Sequence, residues 1–253
     1  MVELKVKDGI AGIFLNRPDK SNALGTELLE ALLFKLKEID ASPGLRVVVI
    51  AGYGKSFCGG ADIHELAGLK KSSAGKFVRR IHQCCDAIRH LTVPVVARLH
   101  GAVIGAGLEL AAACDLRIAA EGTRFAMPEV RLGIPSVVEA ALLPRLVGAG
   151  RAAWLVLTGE AIDAKTALDW GLVQELAPLA ALDERIGALL ESLVAADREA
   201  LASQKALLRL WQEAPLAESV SASIAAFARA YESGEPGERM RATISRGRGA
   251  KEN

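Results

Sequence analysis

Two glutamates, Glu109 and Glu129, stand twenty residues apart in settings that do not suit solvated surface charges. Glu109 lies in "GAGLELAAACD" (105–115), among small apolar residues and with no basic neighbour in sequence. Glu129 follows a proline in "FAMPEVRLGIPS" (125–136). A buried carboxylate is costly unless something pairs with it or uses it. Two acids in one cleft can hold a water between them, and their mutual repulsion keeps one of them protonated. The path between them, helix then strand then return turn, can bring both to the same end of adjacent strands.

Glycine turns accompany these acids. "SFCGGADIHEL" (56–66) reads as the end of a strand, a double glycine and a helix start, with Asp62 in an N-capping position. Gly105 and Gly107 precede a second helix that carries Glu109 in its first turn. Such turns let backbone N–H groups face a ligand, and the helix N-terminus favours negative charge there. Two anion-facing turns and two carboxylates suit chemistry through an enolate: the turns hold the oxyanion and the acids move protons. Each piece alone has a plainer reading, Asp62 as the cap of a tight turn and Glu109 as a helix N-terminal charge. A dinucleotide fingerprint fails, because "GAGLEL" lacks the final glycine and opens no βαβ unit with a ribose-binding acid.

The elements that must position these groups are legible in outline. Residues 1–16 read as two short strands joined at "KDG", and Leu28, Leu29, Leu32, Leu33, Leu36 and Ile39 have helical spacing over 26–39. "LRVVVIAG" (45–52) is a continuous β-branched run, the pattern of a strand buried on both faces. "PVVARLHGAVIG" (94–105) and "DLRIAAEGTRFAMPE" (115–129) repeat it, and helical segments are expected over 60–70, 106–114 and 136–147. That alternation predicts an α/β core. Past residue 160 the strand signals fade, and long amphipathic helices are expected over 181–211 and 214–232.

Half of the 253 residues are apolar, enough for a large core, and a net charge of +1 gives no electrostatic case for nucleic acid, a membrane surface or an acidic partner. Cys58, Cys84, Cys85 and Cys114 form no C-x-x-C pair and read as small buried hydrophobes in a reducing compartment. Arg98, His100, Glu109, Asp115 and Arg117 interrupt the apolar region 93–120, which therefore cannot span a bilayer. The opening residues alternate like a strand and not like a leader. A cytoplasmic protein is expected, with the basic tail "SRGRGAKEN" as a solvated end.

At this point the sequence closely resembles the crotonase superfamily, the enoyl-CoA hydratase/isomerase family. The likeness runs through "LNRPDKSNAL" (15–24), "FCGGADIHEL", "GAGLELAAACDLRIA", "FAMPEVRLGIP" and "LTGEAIDAKTALDWGLV" (157–173). It implies a spiral of repeated ββα units over 1–195 for acyl-CoA binding and catalysis. A helical region over 196–253 would then build homotrimers, commonly paired into hexamers. The implied oxyanion hole is the backbone N–H groups of Ala61 and Ala106, and the implied hydratase acids are Glu109 and Glu129. Having both acids favours hydration of a 2-enoyl-CoA in fatty acid metabolism, with Glu109 helping to activate the water and Glu129 exchanging the α-carbon proton.

Asp19, Lys20 and Ser21 match the loop lining the CoA site, the Ala61–Ile63 turn with Asp62 and Ile63 matches the wall around the adenine, and the resemblance implies Gly60 as a further CoA-binding residue. His64 falls where relatives often carry a lysine near the CoA phosphates, and a histidine is only partly charged at neutral pH. No cofactor beyond the substrate's own coenzyme A is implied, and no metal.

The chain departs from the family after "LGIP", where "SVVEAALLPRLVG" (136–148) replaces a glycine-rich run. Pro135, Val137, Val138 and Glu139 are candidate acyl-pocket residues. If they face the cleft the pocket narrows and gains a third carboxylate. Because acids are rarely buried unpaired, Glu139 is expected instead to be a solvated helix charge. The segment "ERMRATISRGRG" (238–249) also lacks the aromatic that many relatives place near the acyl-CoA. An enoyl-CoA isomerase remains the alternative on the same scaffold. A non-catalytic binder of acyl-CoA or RNA is the alternative of another class, its RNA form disfavoured by the near-neutral charge.

Overall fold

The computed structural model describes residues 1–232 and 234–249, with side chains through residue 245. The chain divides into two compact units, Met1–Ala196 and a second beginning at Asp197.

In the first unit, β1 (Val2–Lys7) and β2 (Ile10–Leu15) form the antiparallel hairpin expected around "KDG". Helix α1 (Thr26–Asp40) follows, burying Leu28, Leu29, Leu32, Leu36 and Ile39. The β-branched run becomes β3 (Val47–Gly52), every residue buried. Val48 and Ile50 enter the main core, while Val47 and Val49 face a second, smaller apolar cluster. After β3 come α2 (Ile63–Gly68), α3 (Lys71–His90), β4 (Val95–Leu99), β5 (Ala102–Ile104) and α4 (Ala106–Ala113). Then follow β6 (Leu116–Ala120), β7 (Arg124–Ala126), α5 (Leu143–Val147), α6 (Ala149–Thr158), β8 (Ile162–Asp163), α7 (Ala164–Asp169), β9 (Glu175–Ala177) and α8 (Leu182–Ala195).

Two sheets organise these strands. The larger has the order β1-β2-β3-β4-β6-β9, parallel beyond the first hairpin, and the smaller has the order β5-β7-β8. Long and short strands alternate along the chain. After β3 the residue Cys58 bridges to Val103, β4 leads through His100–Gly101 into β5, and β6 leads into β7. A methyl at Gly101 would lie 1.9 Å from the Lys55 carbonyl oxygen, and its φ of +60° suits glycine alone at this sharp change of sheet. Each turn of the spiral therefore lays one long strand in the first sheet and one short strand in the second. Leu182, Ile186 and Leu190 of α8 close the outer apolar cluster over Val47, Val49, Val96 and Ile118.

Several sequence expectations require correction. The helix expected over 60–70 is confined to Ile63–Gly68, because the glycine turn and Asp62 precede it. The segment 136–147 begins as a 3-10 turn at Val138–Leu142 before α5. The single helix expected over 181–211 is two helices, broken where Asp197 caps a new start by accepting from the Ala200 N–H at 2.8 Å. In the second unit, α9 (Arg198–Glu213) packs on α10 (Leu216–Ala230), joined by a Trp211 Nε1 to Ser223 Oγ hydrogen bond of 3.0 Å. Helix α11 (Glu235–Gly249) follows. Beyond Gly249 the expected solvated tail lies outside the described residues.

Candidate active site

The second sheet explains why three distant turns meet. Cys58 pairs in parallel with Val103, and Val103 pairs in parallel with Phe125. Ala61 and Ala106 each follow their paired residue by three positions, and Glu129 follows Phe125 by four. All three emerge at the same end of neighbouring strands.

Ala61 bridges Leu24 in parallel: the Leu24 N–H donates to Gly60 O (2.8 Å) and the Asp62 N–H donates to Leu24 O (3.0 Å). In a parallel bridge the intervening residue turns its own N–H to the opposite side. That side is occupied by the next turn, since a methyl on Gly60 would lie 3.0 Å from Ile104 O and 4.0 Å from the Ala106 nitrogen. Ala106 is the first residue of α4, whose leading N–H groups have no partner within the helix. The backbone nitrogens of Ala61 and Ala106 thus lie on adjacent turns. Asp62 caps α2 by accepting from the His64 and Glu65 N–H groups, and its other oxygen takes the Arg17 guanidinium at 2.5 Å. Those contacts occupy the Asp62 carboxylate and leave the backbone as what its turn offers.

Glu109 is almost fully buried on α4. Its neutral form is favoured: burial first, then the charges of Glu129 and Glu139, push its pKa up to about 8, against the opposing influence of the Ala140 backbone. Glu129 is half-buried at the start of a 3-10 turn and accepts from Ser136 Oγ at 2.9 Å. A methyl on Gly105 would sit 2.3 Å from Glu129 Oε1, so the second carboxylate lies directly against the N-terminus of the helix that carries the first. Gly105 holds a φ of +51°, and its N–H donates to Ala126 O (2.8 Å), tying the helix start to β7. At the other end of α4, Arg117 donates to the Cys114 carbonyl at 2.6 Å and to Leu172 O at 2.7 Å, a buried cation at a helix C-terminus.

Glu139 overturns its expectation. It is 6 % exposed, not solvated, and its Oε1 meets His82 Nδ1 at 2.8 Å. Its Oε2 is buried without a hydrogen-bond partner. The preceding Val138 adopts a φ of +41°, which turns the chain inward at this point. Of the other candidate pocket residues, Val138 is half-buried, while Pro135 and Val137 are exposed beside it.

Asp19, Lys20, Ser21, Ile63 and His64 are all exposed. The loop 17–22 is fixed to the second-sheet side: Ser21 O accepts from the Gly59 N–H (2.7 Å), and the buried Asn22 amide donates to the carbonyls of Tyr53 and Ser56 (2.9 and 2.8 Å). Sequence reasoning missed Arg17, Asn22, His82 and Ser136. His82 sits on α3, a helix betrayed by Phe77, Ile81, Cys84 and Ile88 at helical spacing but not recognised. All four cysteines are free and buried, with the Cys58 and Cys84 thiols pushed up to about 12 by burial.

A separate cavity of about 860 Å³ lies over the large sheet, lined among others by Lys5, Phe14, Tyr53, Arg98, His100 and Asp183. Arg98 pairs with Asp183 there, and His100 contacts Gly54 O at 3.0 Å, so its polar groups are already engaged. Among the described residues no three His, Cys, Asp or Glu side chains are grouped to hold a metal ion, and no helix is long and apolar enough to cross a membrane.

Residues 5–241 match the family model described as "Enoyl-CoA hydratase/isomerase". The chain is 39 % identical over 174 residues to a protein named "Probable enoyl-CoA hydratase" from Bacillus subtilis, covering 68 % of this chain and 67 % of that one. It is 36 % identical over 175 residues to a crotonyl-CoA hydratase from Syntrophomonas wolfei, again covering 68 % and 67 %. The crystal structure of an enoyl-CoA hydratase from Mycobacterium smegmatis superposes with a TM-score of 0.88 at 32 % identity, over 91 % of this chain and 90 % of that one. The spiral of ββα units is therefore the crotonase fold, and the chain belongs to the enoyl-CoA hydratase/isomerase family.

Proposed function

We propose that the protein hydrates a 2-enoyl-CoA thioester, adding water reversibly across the 2,3 double bond. The observation that carries this reading is the pair Glu109 and Glu129, packed about the first turn of α4 beside two backbone donors. The Ala61 and Ala106 N–H groups hold the thioester oxygen as it becomes an enolate, and one such donor contributes roughly 3–4 kcal/mol. Repulsion between the two carboxyls keeps one proton on the pair. The water oxygen bonds to the β-carbon while one of its protons passes to Glu109. Glu129 gives its proton to the α-carbon, and transfer from Glu109 to Glu129 restores the pair.

Coenzyme A enters as part of the substrate, and no further cofactor takes part. Asp19, Lys20 and Ser21, with the Gly60–His64 turn, form the wall for its nucleotide end. The second unit serves assembly into trimers or hexamers. In support, α10 exposes Leu216, Val220, Ile224 and Phe227 along one face, a pattern suited to a covered surface. The protein works on acyl-CoAs of fatty acid metabolism in the cytoplasm, where reduced thiols such as its four buried cysteines persist.

Turnover of crotonyl-CoA and of longer or branched enoyl-CoAs, followed by loss of the conjugated thioester absorbance, tests this reading. The expected result is hydration by the wild type and near-complete loss in both Glu109→Gln and Glu129→Gln. Turnover of a 3-enoyl-CoA with Glu109→Gln tolerated would assign isomerisation instead, with Glu129 or Glu139 as sole base.

A further inference from the structure

The loop 17–22 and the turn that carries Ala61 meet at one buried side chain that the mechanism above does not use. Asn22 has no exposed surface, and both ends of its amide are engaged. Its Oδ1 accepts from the Arg17 N–H at 2.9 Å, and its own backbone N–H donates to Arg17 O at 2.9 Å, which closes the loop. Its Nδ2 donates to the carbonyls of Tyr53, Ser56 and Phe57 at 2.9, 2.8 and 3.2 Å. Those carbonyls belong to the segment that runs from β3 into the turn 58–61. The last residue of β3 makes room for this group, since a methyl on Gly52 would lie 2.7 Å from Asn22 Nδ2.

The contacts continue into the turn itself. The Cys58 thiol donates to Asn22 O at 3.2 Å, and the Gly59 N–H donates to Ser21 O at 2.7 Å. The second sheet holds the same segment from elsewhere: the Phe57 N–H donates to His100 O (2.8 Å) and the Ile104 N–H to Cys58 O (3.0 Å). Backbone conformation alone does not call for an asparagine here. Ser21 and Asn22 hold φ of +51° and +56°, and a glycine at position 22 would meet that requirement. It would lack the amide, leaving three carbonyls without the donor they share, and an unpaired buried polar group is costly.

We propose that Asn22 is a positioning residue for the oxyanion turn, its buried amide fixing 58–61, and with it the Ala61 N–H, against the loop 17–22. Without the amide the Tyr53, Ser56 and Phe57 carbonyls turn toward other donors, and the Ala61 nitrogen moves with the strand end. Donors aimed at a developing oxyanion act through fixed geometry, so a small displacement weakens them. The loop keeps its own shape, because the Lys20, Ser21 and Ala23 N–H groups stay bonded to the carbonyls of Arg17, Pro18 and Lys20. The defect therefore falls on the thioester oxygen and not on the holding of coenzyme A.

The inference rests on the hydratase reading for the role given to the Ala61 N–H, so the test uses a ligand that cannot be hydrated. Infrared spectra follow the thioester carbonyl of isotopically labelled butyryl-CoA bound to the whole protein. The wild type is expected to lower its stretching frequency, and Asn22→Asp and Asn22→Gly to lose roughly half or more of that shift. For crotonyl-CoA, kcat falls about tenfold to a hundredfold in both variants, while KM and the Kd of free coenzyme A change less than about threefold. Thermal unfolding identifies which variant is folded; Asn22→Asp keeps the shape of the side chain, and Asn22→Gly keeps the backbone conformation. A folded variant with a lowered Tm and an undiminished carbonyl shift would show a role in holding the fold alone and overturns the proposal. A diminished shift, in a protein whose wild type hydrates no 2-enoyl-CoA, upholds it and removes the hydratase assignment instead.

Discussion

Glu129 and Glu139 flank the same buried acid with the same functional group, yet their surroundings differ at every contact. Glu129 is half open, accepts from a hydroxyl, and touches the glycine that starts α4. Glu139 is closed off, contacts a histidine, and keeps its second oxygen buried without a partner. A carboxylate that must trade protons with a water needs room for that water and a donor that leaves one oxygen free. A carboxylate closed off from solvent has no such room. The difference teaches that access and donors, not residue type, separate a proton-transferring acid from a buried one that is not.

The sharpest break in that comparison is Glu129→Gln, which is expected to lower kcat by well over a hundredfold. Near-normal turnover would remove the functional difference between Glu129 and Glu139. Next in size is Gly105→Ala, expected to lose about tenfold to a hundredfold in kcat/KM. The new methyl collides with Glu129 Oε1 at 2.3 Å in a backbone conformation that favours glycine. Ser136→Ala should have the smallest effect, a loss of less than about tenfold, because Glu129 stays partly hydrated when one donor is removed.

Glu109 itself gives a prediction in stability. Its folded pKa of about 8 lies above the usual 4.5, so between these values the folded chain binds more protons than the unfolded one. Its contribution is then fully present below about pH 4.5 and lost as pH rises toward 8. Glu109→Gln should accordingly unfold at a higher temperature than the wild type at neutral pH, by up to a few kcal/mol of stability, with a gap that widens from pH 5 to 8. Equal melting curves across that range would show that Glu109 is not held neutral by its surroundings.

Much of the spiral was readable because its signals are local. The β-branched run of β3, the apolar spacing of α1 and the glycines before α4 each announce their own element. The long helix α3 was not predicted although Phe77, Ile81, Cys84 and Ile88 mark a stripe, because mostly polar and small residues fill the intervening positions. The break at Asp197 was carried by a single capping side chain inside an otherwise helical pattern. Glu139 was misread for a different reason: the rule that acids stay solvated fails when a partner comes from a distant element, here His82, fifty-seven residues earlier.

The sequence by itself determined the family, the alternation of strands and helices, and the identity of two acids and two glycine turns as the chemical parts. Those follow from residue types and short-range spacing, which the chain carries before it folds. Only the tertiary structure decided that Ala61, Ala106 and Glu129 leave neighbouring strands at one end, and that Glu109 is buried. It alone turned Glu139 inward. Strand register and burial are set by contacts between segments far apart in the chain, and a carboxyl's charge depends on the solvent and dipoles those contacts leave around it.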